Sequence, residues 1–331
     1  MIPVAVVYNR PDPVRAESKD VLIEAAFVEK ALRERGHPVH RVICDNGLEG
    51  ISVIADRLHV VSESGVVFNL IESLGNNPRL YPASAAMFDI AGLRYTGSSY
   101  EALVMTTDKA FSKSILFSRG IPTPEWAIYP ETDAESCWHT VAEGKTCIAK
   151  PLREDASVGI TDESVFSEYY LLMEGLIRMH QDYGDLLVEK FLDGTEYNIS
   201  ILEGRMGEPI VLPVAEMCFD LWPEGKPRIV GYSAKWNPGA FEYQNTRRIF
   251  LKDSEFNDNL SQLAVSVWKA FRLNGYARVD IRTDKNGKPH VIEINANPCI
   301  SPDSGFVAAA KKAGLSPEAL VGAIVEAATR R

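Results

Sequence analysis

The sequence has few cysteines, and no two of them form a redox or zinc motif. There are five, an odd number, and none are spaced as CxxC: Cys44, Cys137, Cys147, Cys218 and Cys299. Structural disulfides belong to oxidising compartments, and zinc knuckles need paired ligands. We therefore expect neither a disulfide framework nor a zinc knuckle, and cysteine usage favours a reducing cytoplasm.

Long apolar runs are also missing. The N-terminal run Met1–Tyr8 is short and has no basic segment before it, unlike a secretory signal. No stretch approaches the roughly 20 apolar residues of a membrane span. The sequence therefore predicts no membrane segment.

Basic residues are fewer than acidic residues. Lys and Arg number 35 against 45 Asp and Glu, for a formal net charge of −10. Nucleic acids and anionic membranes are bound by clustered positive charge, so this balance argues against a general binder of either. A local basic pocket for a small anion, such as a nucleotide phosphate, remains compatible with it.

Several motifs for phosphate binding and hydrolysis are absent. The chain has no GxxxxGK[ST], no GxGxxG after its first predicted strand, no GxSxG and no HExxH. Its six histidines are scattered, and each is best interpreted as a surface or core residue. A Walker-type phosphate loop and a dinucleotide fingerprint are thereby excluded.

The first hundred residues alternate strand and helix patterns, ending helices at Gly36 and Gly92. A length of 331 residues predicts two or three domains. Apolar residues make up 46% and charged residues 24%, as in soluble globular proteins. Alternation of this kind predicts an open α/β layer with a parallel sheet. The predicted strands are Val4–Tyr8, Val39–Cys44 and Val66–Leu70, and the predicted helices are Val21–Arg35 and Ala83–Ala91.

The segment Ile121-Pro-Thr-Pro124 breaks this rhythm, because neither proline fits a helix interior or a central strand. We interpret it as the link into a second domain. From Thr146 the pattern changes to short strands with hairpin-like turns. The predicted strands are Leu186–Phe191, Glu196–Leu202, Pro209–Val214 and Val291–Asn295, and the predicted helices are Ser164–His180, Asn257–Asn274 and Pro317–Thr329.

The strongest chemical pattern is a pair of strands joined by the turn Asp284-Lys-Asn-Gly287. Arg278 and Asp280 share one face of the first strand, and Glu293 and Asn295 share one face of the second. A hairpin would bring these oxygen ligands together, and oxygen ligands without Cys or His favour Mg²⁺. The alternative is an amphipathic hairpin whose polar residues face solvent.

Two weaker patterns precede this hairpin. Lys150 ends a predicted strand before a loop of small residues that includes Ser157 and Gly159, which would let backbone N–H groups approach a phosphate. Further on, an apolar strand runs into Glu189-Lys190 and a glycine turn before Glu196, residues that could hold an adenine and a ribose. Taken alone, the lysine could be a solvated charge and the second pattern an ordinary turn.

In combination and in this order, the three patterns resemble the ATP-grasp superfamily, and within it the D-alanine–D-alanine ligases. The resemblance covers nearly the whole chain. Further matching pieces are Tyr95-Thr-Gly-Ser98, Asp108-Lys109 with Lys113, Gly120–Pro124, Ala234-Lys235-Trp236 and Asn295-Ala-Asn-Pro298 leading to Ser304.

The resemblance implies an ATP-grasp fold in which an N-terminal Rossmann-like parallel sheet precedes two α+β lobes that sandwich ATP. Its domains would be about 1–105, 106–190 and 191–331. It implies ATP and two Mg²⁺ ions as cofactors, with Mn²⁺ as an alternative, small acid and amine substrates, and leaves a homodimer open. The activity would be ligation of a carboxylate to an amine through an acylphosphate.

By the same resemblance, each candidate residue receives a role. Lys109, Lys150 and Ser157 would contact the ATP phosphates or their loop, and Lys235 would lie in a loop that covers them. Arg278 would stabilise charge in the transition state, while Ser304 and Glu17 would bind the second and first substrates. The adenine and ribose would be lined by Glu189, Lys190, Leu192 and Glu196, and the metals held by Asp280, Glu293 and Asn295.

The match fails on the substrate side. Trp236 replaces a tyrosine of the covering loop, and a tryptophan cannot make the hydroxyl bridge. Ala156 replaces a serine and Asp155 a glycine. Because that tyrosine and that serine form a closing triad with the glutamate, two of its three members are missing. Cys299 replaces another glycine, and Phe68-Asn-Leu-Ile-Glu72-Ser-Leu-Gly75 stands in place of the loop Gly-Glu-Asp-Gly.

We therefore predict an ATP-dependent carboxylate–amine ligase whose substrate pocket is rebuilt, so that D-alanyl-D-alanine is not its main product. A dedicated D-alanine–D-alanine ligase and a non-catalytic nucleotide-binding regulator are the alternatives. A carboxylate kinase that stops at the acylphosphate also remains open.

Overall fold

Four parallel strands form the first sheet. The computed structural model describes residues 1–12, 17–45, 58–61, 65–75 and 77–331. Strands β1 (Val4–Asn9), β2 (Val39–Cys44), β3 (Val66–Leu70) and β4 (Arg94–Tyr95) pair in the order β2-β1-β3-β4. Helices α1 (Asp20–Glu34) and α2 (Ala83–Ile90) belong to this part. The central β1 and β3 are buried throughout nearly their whole length, as uninterrupted β-branched runs predict, and the predicted open parallel sheet is confirmed.

A second sheet is antiparallel, in the order β5-β8-β6-β7. Helices α3 (Tyr100–Thr107) and α4 (Lys109–Ser118) lead into it. Its strands are β5 (Trp126–Tyr129), β6 (Cys147–Pro151), β7 (Val165–Phe166) and β8 (Leu186–Lys190), and its helices are the short α5 (Ala134–Ser136), which continues as a π-helical turn over Cys137–Val141, and α6 (Tyr169–Tyr183).

The predicted helix Ser164–His180 was wrong at both ends. Val165 and Phe166 are β7 and pair with Ile148 and Cys147 of β6, so the helix begins only at Tyr169. It then runs on to Tyr183 and ends at Gly184, whose φ of 74° suits the end of a helix.

The third sheet has six antiparallel strands in the order β12-β11-β9-β13-β14, with β10 paired to β9. These strands are β9 (Glu196–Glu203), β10 (Pro209–Val211), β11 (Ala215–Phe219), β12 (Thr246–Phe250), β13 (Tyr276–Thr283) and β14 (Pro289–Asn295). The helices are α7 (Tyr232–Trp236), α8 (Phe241–Asn245), α9 (Glu255–Ala270), α10 (Gly305–Lys312) and α11 (Pro317–Thr329), and short 3-10 turns lie at Glu17–Lys19, Leu58–Val61, Pro78–Leu80 and Asp162–Ser164.

The two ends of the chain share one hydrophobic core. Val6 and Tyr8 of β1 belong to the same buried cluster as Phe306 of α10 and Ile324 of α11. Two hydrogen bonds extend this contact, from Asn297 Nδ2 to the Asn69 carbonyl (3.1 Å) and from the Ile300 amide to Glu24 Oε1 (2.6 Å). The loops that follow β1 and β3 are therefore held beside the end of β14. Within the described residues, no helix has both the length and the apolar character to cross a bilayer.

Two helix glycines should respond oppositely to alanine. A Cβ at Gly175 would overlap the buried ring of Phe166, so Gly175→Ala should lower the free energy of unfolding by about 1–3 kcal/mol. A Cβ at Gly322 would meet only the guanidinium end of Arg35, which is partly exposed and can swing away. Gly322→Ala should therefore be neutral or stabilising by up to about 1 kcal/mol. Urea denaturation measures both changes, and equal effects would contradict this packing.

Candidate functional site

A cleft with about 640 Å³ of free volume opens where the three sheets meet. Asn9 and Glu72 line it from the first sheet and its loops, and Lys150 lines it from the second. The candidate residues that line it are Lys150, Ser157, Glu189, Lys190, Leu192, Glu196, Lys235, Arg278, Asp280, Glu293, Asn295 and Ser304. The side chain of Glu17 lies outside the described residues, so its predicted role stays a prediction.

The predicted hairpin forms, and its register sets the centre of the cleft. β13 and β14 are antiparallel, with Asp280 opposite Glu293 and Arg278 opposite Asn295. Paired residues of neighbouring strands project from the same face of a sheet, so all four point to one side. Arg278 binds the Asp280 carboxylate through two hydrogen bonds of 2.8 and 2.9 Å. The structure thus brings these four candidate residues together.

Glu189 is a buried anion between two lysines. Its carboxylate contacts Lys150 Nζ at 2.6 Å and pairs also with Lys113. Burial alone would raise the pKa of the Glu189 carboxyl, but the charges of Lys113 and Lys150 overcome it and lower the pKa to about 2. The carboxylate therefore orients Lys150 near the end of β6.

Lys109, the first residue of α4, contacts two residues that line the cleft. Its Nζ lies 3.7 Å from Glu293 and 3.6 Å from Asp155, and it donates a hydrogen bond to the carbonyl of Glu154. Burial would raise the pKa of Glu293, but the charges of Lys109 and Lys235 outweigh it and hold that pKa below its usual value. Lys109 thus lies between the loop after β6 and the hairpin carboxylates.

Two hydrogen bonds join the small-residue loop to the segment that carries Lys235. The indole N–H of Trp236 donates to the Ala156 carbonyl at 2.9 Å, and the Ser157 hydroxyl donates to the Val230 carbonyl at 2.8 Å. Ala156 and Ser157 have φ values of 55° and 61°, a left-handed backbone that turns these groups toward α7. A tryptophan therefore bridges the two loops through a backbone acceptor, although it lacks the hydroxyl expected from the resemblance.

Lys235 lies inside the cleft on α7. Burial lowers its pKa, and the charge of Arg278 lowers it further, while the carboxylates of Glu293 and Asp280 act in the opposite direction. Cations and anions are therefore interleaved here. A ligand with several negative charges would satisfy Lys235 and Arg278 together.

A buried acid, Glu24, lies behind the far end of the cleft, next to the lining residue Cys299. Glu24 is 3% exposed and accepts the Ile300 amide. Burial, followed by the charge of Glu72, raises the pKa of Glu24 to about 8. Because Glu24 lies three residues after Val21 and one before Ala25, on the predicted apolar face of α1, the periodicity did contain a signal for its burial.

Beside Glu24, Cys299 lies 3.1 Å from both the Asp20 carboxylate and the Ser301 hydroxyl. Ser304 caps α10, and its hydroxyl oxygen accepts the Val307 amide at 3.2 Å. Its own O–H proton remains for another acceptor. This end of the cleft therefore offers both acids and a hydroxyl donor.

The donor set fits magnesium chemistry. Asp280 and Glu293 supply carboxylate oxygens and Asn295 an amide oxygen on one face. Among the described residues, no three His, Cys, Asp or Glu side chains cluster as a metal site. Mg²⁺ typically takes one or two carboxylates together with substrate phosphates, and these residues can provide that share.

The family described as "D-ala D-ala ligase C-terminus" matches residues 115–326, and the chain belongs to this family. It is an ATP-grasp protein and an ATP-dependent ligase that forms carbon–nitrogen bonds. The predicted ATP-grasp fold and enzyme class are thereby confirmed.

Individual relatives match along most of the chain. Protein y4sG of Sinorhizobium fredii is 32% identical over 312 residues, covering 93% of this chain and 88% of the relative. The D-alanine–D-alanine ligase of Aquifex aeolicus is 28% identical and covers 94% and 97%. The structure of the D-alanine–D-alanine ligase of Bacillus anthracis complexed with ATP has the same fold, with a TM-score of 0.76 at 19% identity and coverage of 100% and 98%.

Removing the Glu189 charge should destabilise the protein strongly. Glu189→Gln would leave two buried ammonium groups without their shared anion, and breaking a buried pair in this way lowers the free energy of unfolding by about 3–5 kcal/mol. Urea denaturation gives the value. Glu143→Gln is the matched control, because Glu143 is exposed and pairs with Lys190 at the surface, so its loss should change stability little. Equal losses in the two variants would contradict the buried role of Glu189.

Proposed function

We propose that this ligase activates the carboxylate of an amino acid or related small acid with ATP and couples it to an amine, using a pocket rebuilt relative to D-alanine–D-alanine ligases. The observation that carries the proposal is an interleaved set of Lys109, Lys150, Lys235, Arg278 and the hairpin carboxylates around one cleft. Phosphoryl transfer needs little beyond such positioning and charge neutralisation.

In this proposal, ATP lies between the second and third sheets. Lys109 and Lys150 bind its phosphates, and Ser157 holds the small-residue loop against them. Lys190, Leu192 and Glu196 line the adenine and ribose, with the backbone beside Glu189. The need for ATP favours the cytoplasm, and a homodimer through the N-terminal part stays a prediction.

Asp280, Glu293 and Asn295 would hold Mg²⁺, with Mn²⁺ as an alternative. When bound, the metal supplies positive charge that screens the phosphate oxygens. Arg278 is oriented by its double hydrogen bond to Asp280 and adds charge that is already in place.

The proposed reaction has two steps. A carboxylate oxygen of the acid bonds to the γ-phosphorus and ADP leaves, which gives an acylphosphate. The nitrogen of the neutral amine then bonds to the acyl carbon, the acyl carbon–oxygen bond breaks, and phosphate leaves together with the proton that the nitrogen loses. Lys235 and Trp236 cover the intermediate from α7, which excludes water from it. Glu17 and Ser304 bind the first and second substrates.

The substrate side supports a rebuilt pocket. Positions 156 and 236 hold alanine and tryptophan, so the tyrosine–serine pair of the closing triad is absent, and the bridge from Trp236 ends on a main-chain carbonyl. Cys299 and Asp20 lie 3.1 Å apart where the resemblance has a glycine. A single changed polar group in a buried pocket discriminates substrates by orders of magnitude.

An ADP-release screen over amino acids of both configurations and dipeptides, with products identified by mass, tests this function. We expect an amide or peptide product, and hydroxylamine should trap the activated acid. D-Alanyl-D-alanine formed at the turnover of a cell-wall ligase would instead favour the dedicated ligase, as the Aquifex relative suggests. Tight Mg–ATP binding without turnover would favour a regulator, and an acylphosphate without amide would favour a kinase.

Two substitutions test the site itself. Arg278→Ala and Glu293→Gln should each reduce turnover at least about 100-fold. The first removes a positive charge aimed at the transferred phosphate, and the second removes a carboxylate that would hold Mg²⁺. Steady-state ADP release measures the loss, while circular dichroism and thermal unfolding check the fold. If both folded variants stay active, the assignment of these residues fails.

A further inference from the structure

Arg248 is a cation of the cleft to which the proposed reaction gives no role. It lies on β12 and lines the cleft. Its Nε is buried without a hydrogen-bond partner, and within the described part of the chain it forms no ion pair. Arg248 as a whole is half-buried, and a buried guanidinium nitrogen without a partner is unfavourable unless a ligand anion completes it.

The sheet register explains why Arg248 faces inward. Arg248 is opposite Met217 of β11, which is in turn opposite Glu196 of β9, so the three project from the cleft face. Arg247, its neighbour, points to the other face, where it is exposed and pairs with Asp220. The two arginines therefore have different environments although they are adjacent in sequence.

After burial, the charges of Arg278 and Asp303 have the largest effects on the pKa of Arg248. Burial lowers its pKa, the positive charge of Arg278 lowers it further, and Asp303 acts in the opposite direction. Asp303 accepts a hydrogen bond from Ser301 at 3.2 Å. Arg248 thus lies at the Ser304 end of the cleft, on β12, the strand at the opposite edge of the sheet from β14 with Glu293 and Asn295.

The guanidinium packs on the first residue of α10. A Cβ on Gly305 would lie 3.2 Å from Arg248 Nη2, so a side chain there would displace the arginine. Ser304 precedes Gly305 and keeps a hydroxyl proton to donate. Guanidinium, hydroxyl and helix N-terminus together suit a carboxylate, which arginine binds through two parallel hydrogen bonds.

We infer that Arg248 binds the carboxylate of the amine acceptor together with Ser304, and so restricts acceptors to amino acids or peptides with a free carboxylate. This inference rests on the proposed ligase function. It adds a specificity-determining residue on β12 that the sequence patterns did not single out.

The test compares acceptors with and without that carboxylate. The probes are D-alanine and L-alanine with their amides, and the best acceptor from the screen with its amide. Arg248→Gln should raise KM for the acid form at least about tenfold and leave KM for ATP within twofold. KM for the amide form should hardly change, and Arg248→Lys should fall between. Arg247→Gln is the matched control and should resemble the parent.

Calorimetric binding of the same probes in the presence of Mg–AMP-PNP separates the possible failures. If Arg248→Gln ligates the acid form with an unchanged KM, the proposed carboxylate subsite is wrong and the proposed ligase function stands. If acceptors with a free carboxylate bind in a way that depends on Arg248 but no turnover occurs, the ligase function is wrong and the carboxylate subsite stands. Loss of stability in Arg248→Gln with unchanged KM would assign Arg248 a structural role beside Asp303, and absence of both binding and turnover would overturn both proposals.

Discussion

A single buried ammonium group, Lys113 Nζ, connects the two sheets that would enclose ATP. It pairs with Glu189 of β8, donates to Thr123 Oγ1 at 2.8 Å and donates to the Val291 carbonyl of β14 at 3.3 Å. Burial lowers its pKa, and the charge of Glu189 is the main opposing influence. Because an unpaired charge at this depth is strongly unfavourable, the position of α4 relative to both sheets depends on Glu189 remaining ionised.

Charge balance then explains the rest of the cleft. Lys150 shares Glu189 with Lys113, Lys109 faces Glu293, and Arg278 is held by Asp280. Each of these four cations is held in place by a carboxylate before any ligand arrives. Such preorganisation is what electrostatic catalysis requires, since the groups need not reorganise during the reaction. The chain is acidic overall, with a net charge of −10, and part of that acidity positions a local group of cations.

Elements with a strong period or a buried run could be predicted from the sequence. β2, β3 and α11 have the predicted bounds, and the hairpin β13–β14 forms at its predicted turn. β11 and β12 were not predicted, because Ala215–Phe219 and Thr246–Phe250 carry charges and lie toward the sheet edge, where burial is partial. Arg248 was missed because its importance comes from what packs against it, which no local pattern contains. Glu24 was missed although it lies on the predicted apolar face of α1, because the sequence does not show what surrounds it there.

The two loops that close the cleft show why residue identity alone can mislead. The change from tyrosine to Trp236 predicts a lost hydroxyl bridge, yet the indole N–H reaches the Ala156 carbonyl at 2.9 Å. Bridging the two loops needs one hydrogen-bond donor and one acceptor. Ala156, whose φ is 55°, offers its main-chain carbonyl as the acceptor in place of a side chain. Substrate recognition is less tolerant, because a buried polar group left unpaired is unfavourable. A chain can therefore keep the bridge between the two loops while the end of the cleft with Cys299 and Arg248 differs, which is the combination that the proposed rebuilt pocket requires.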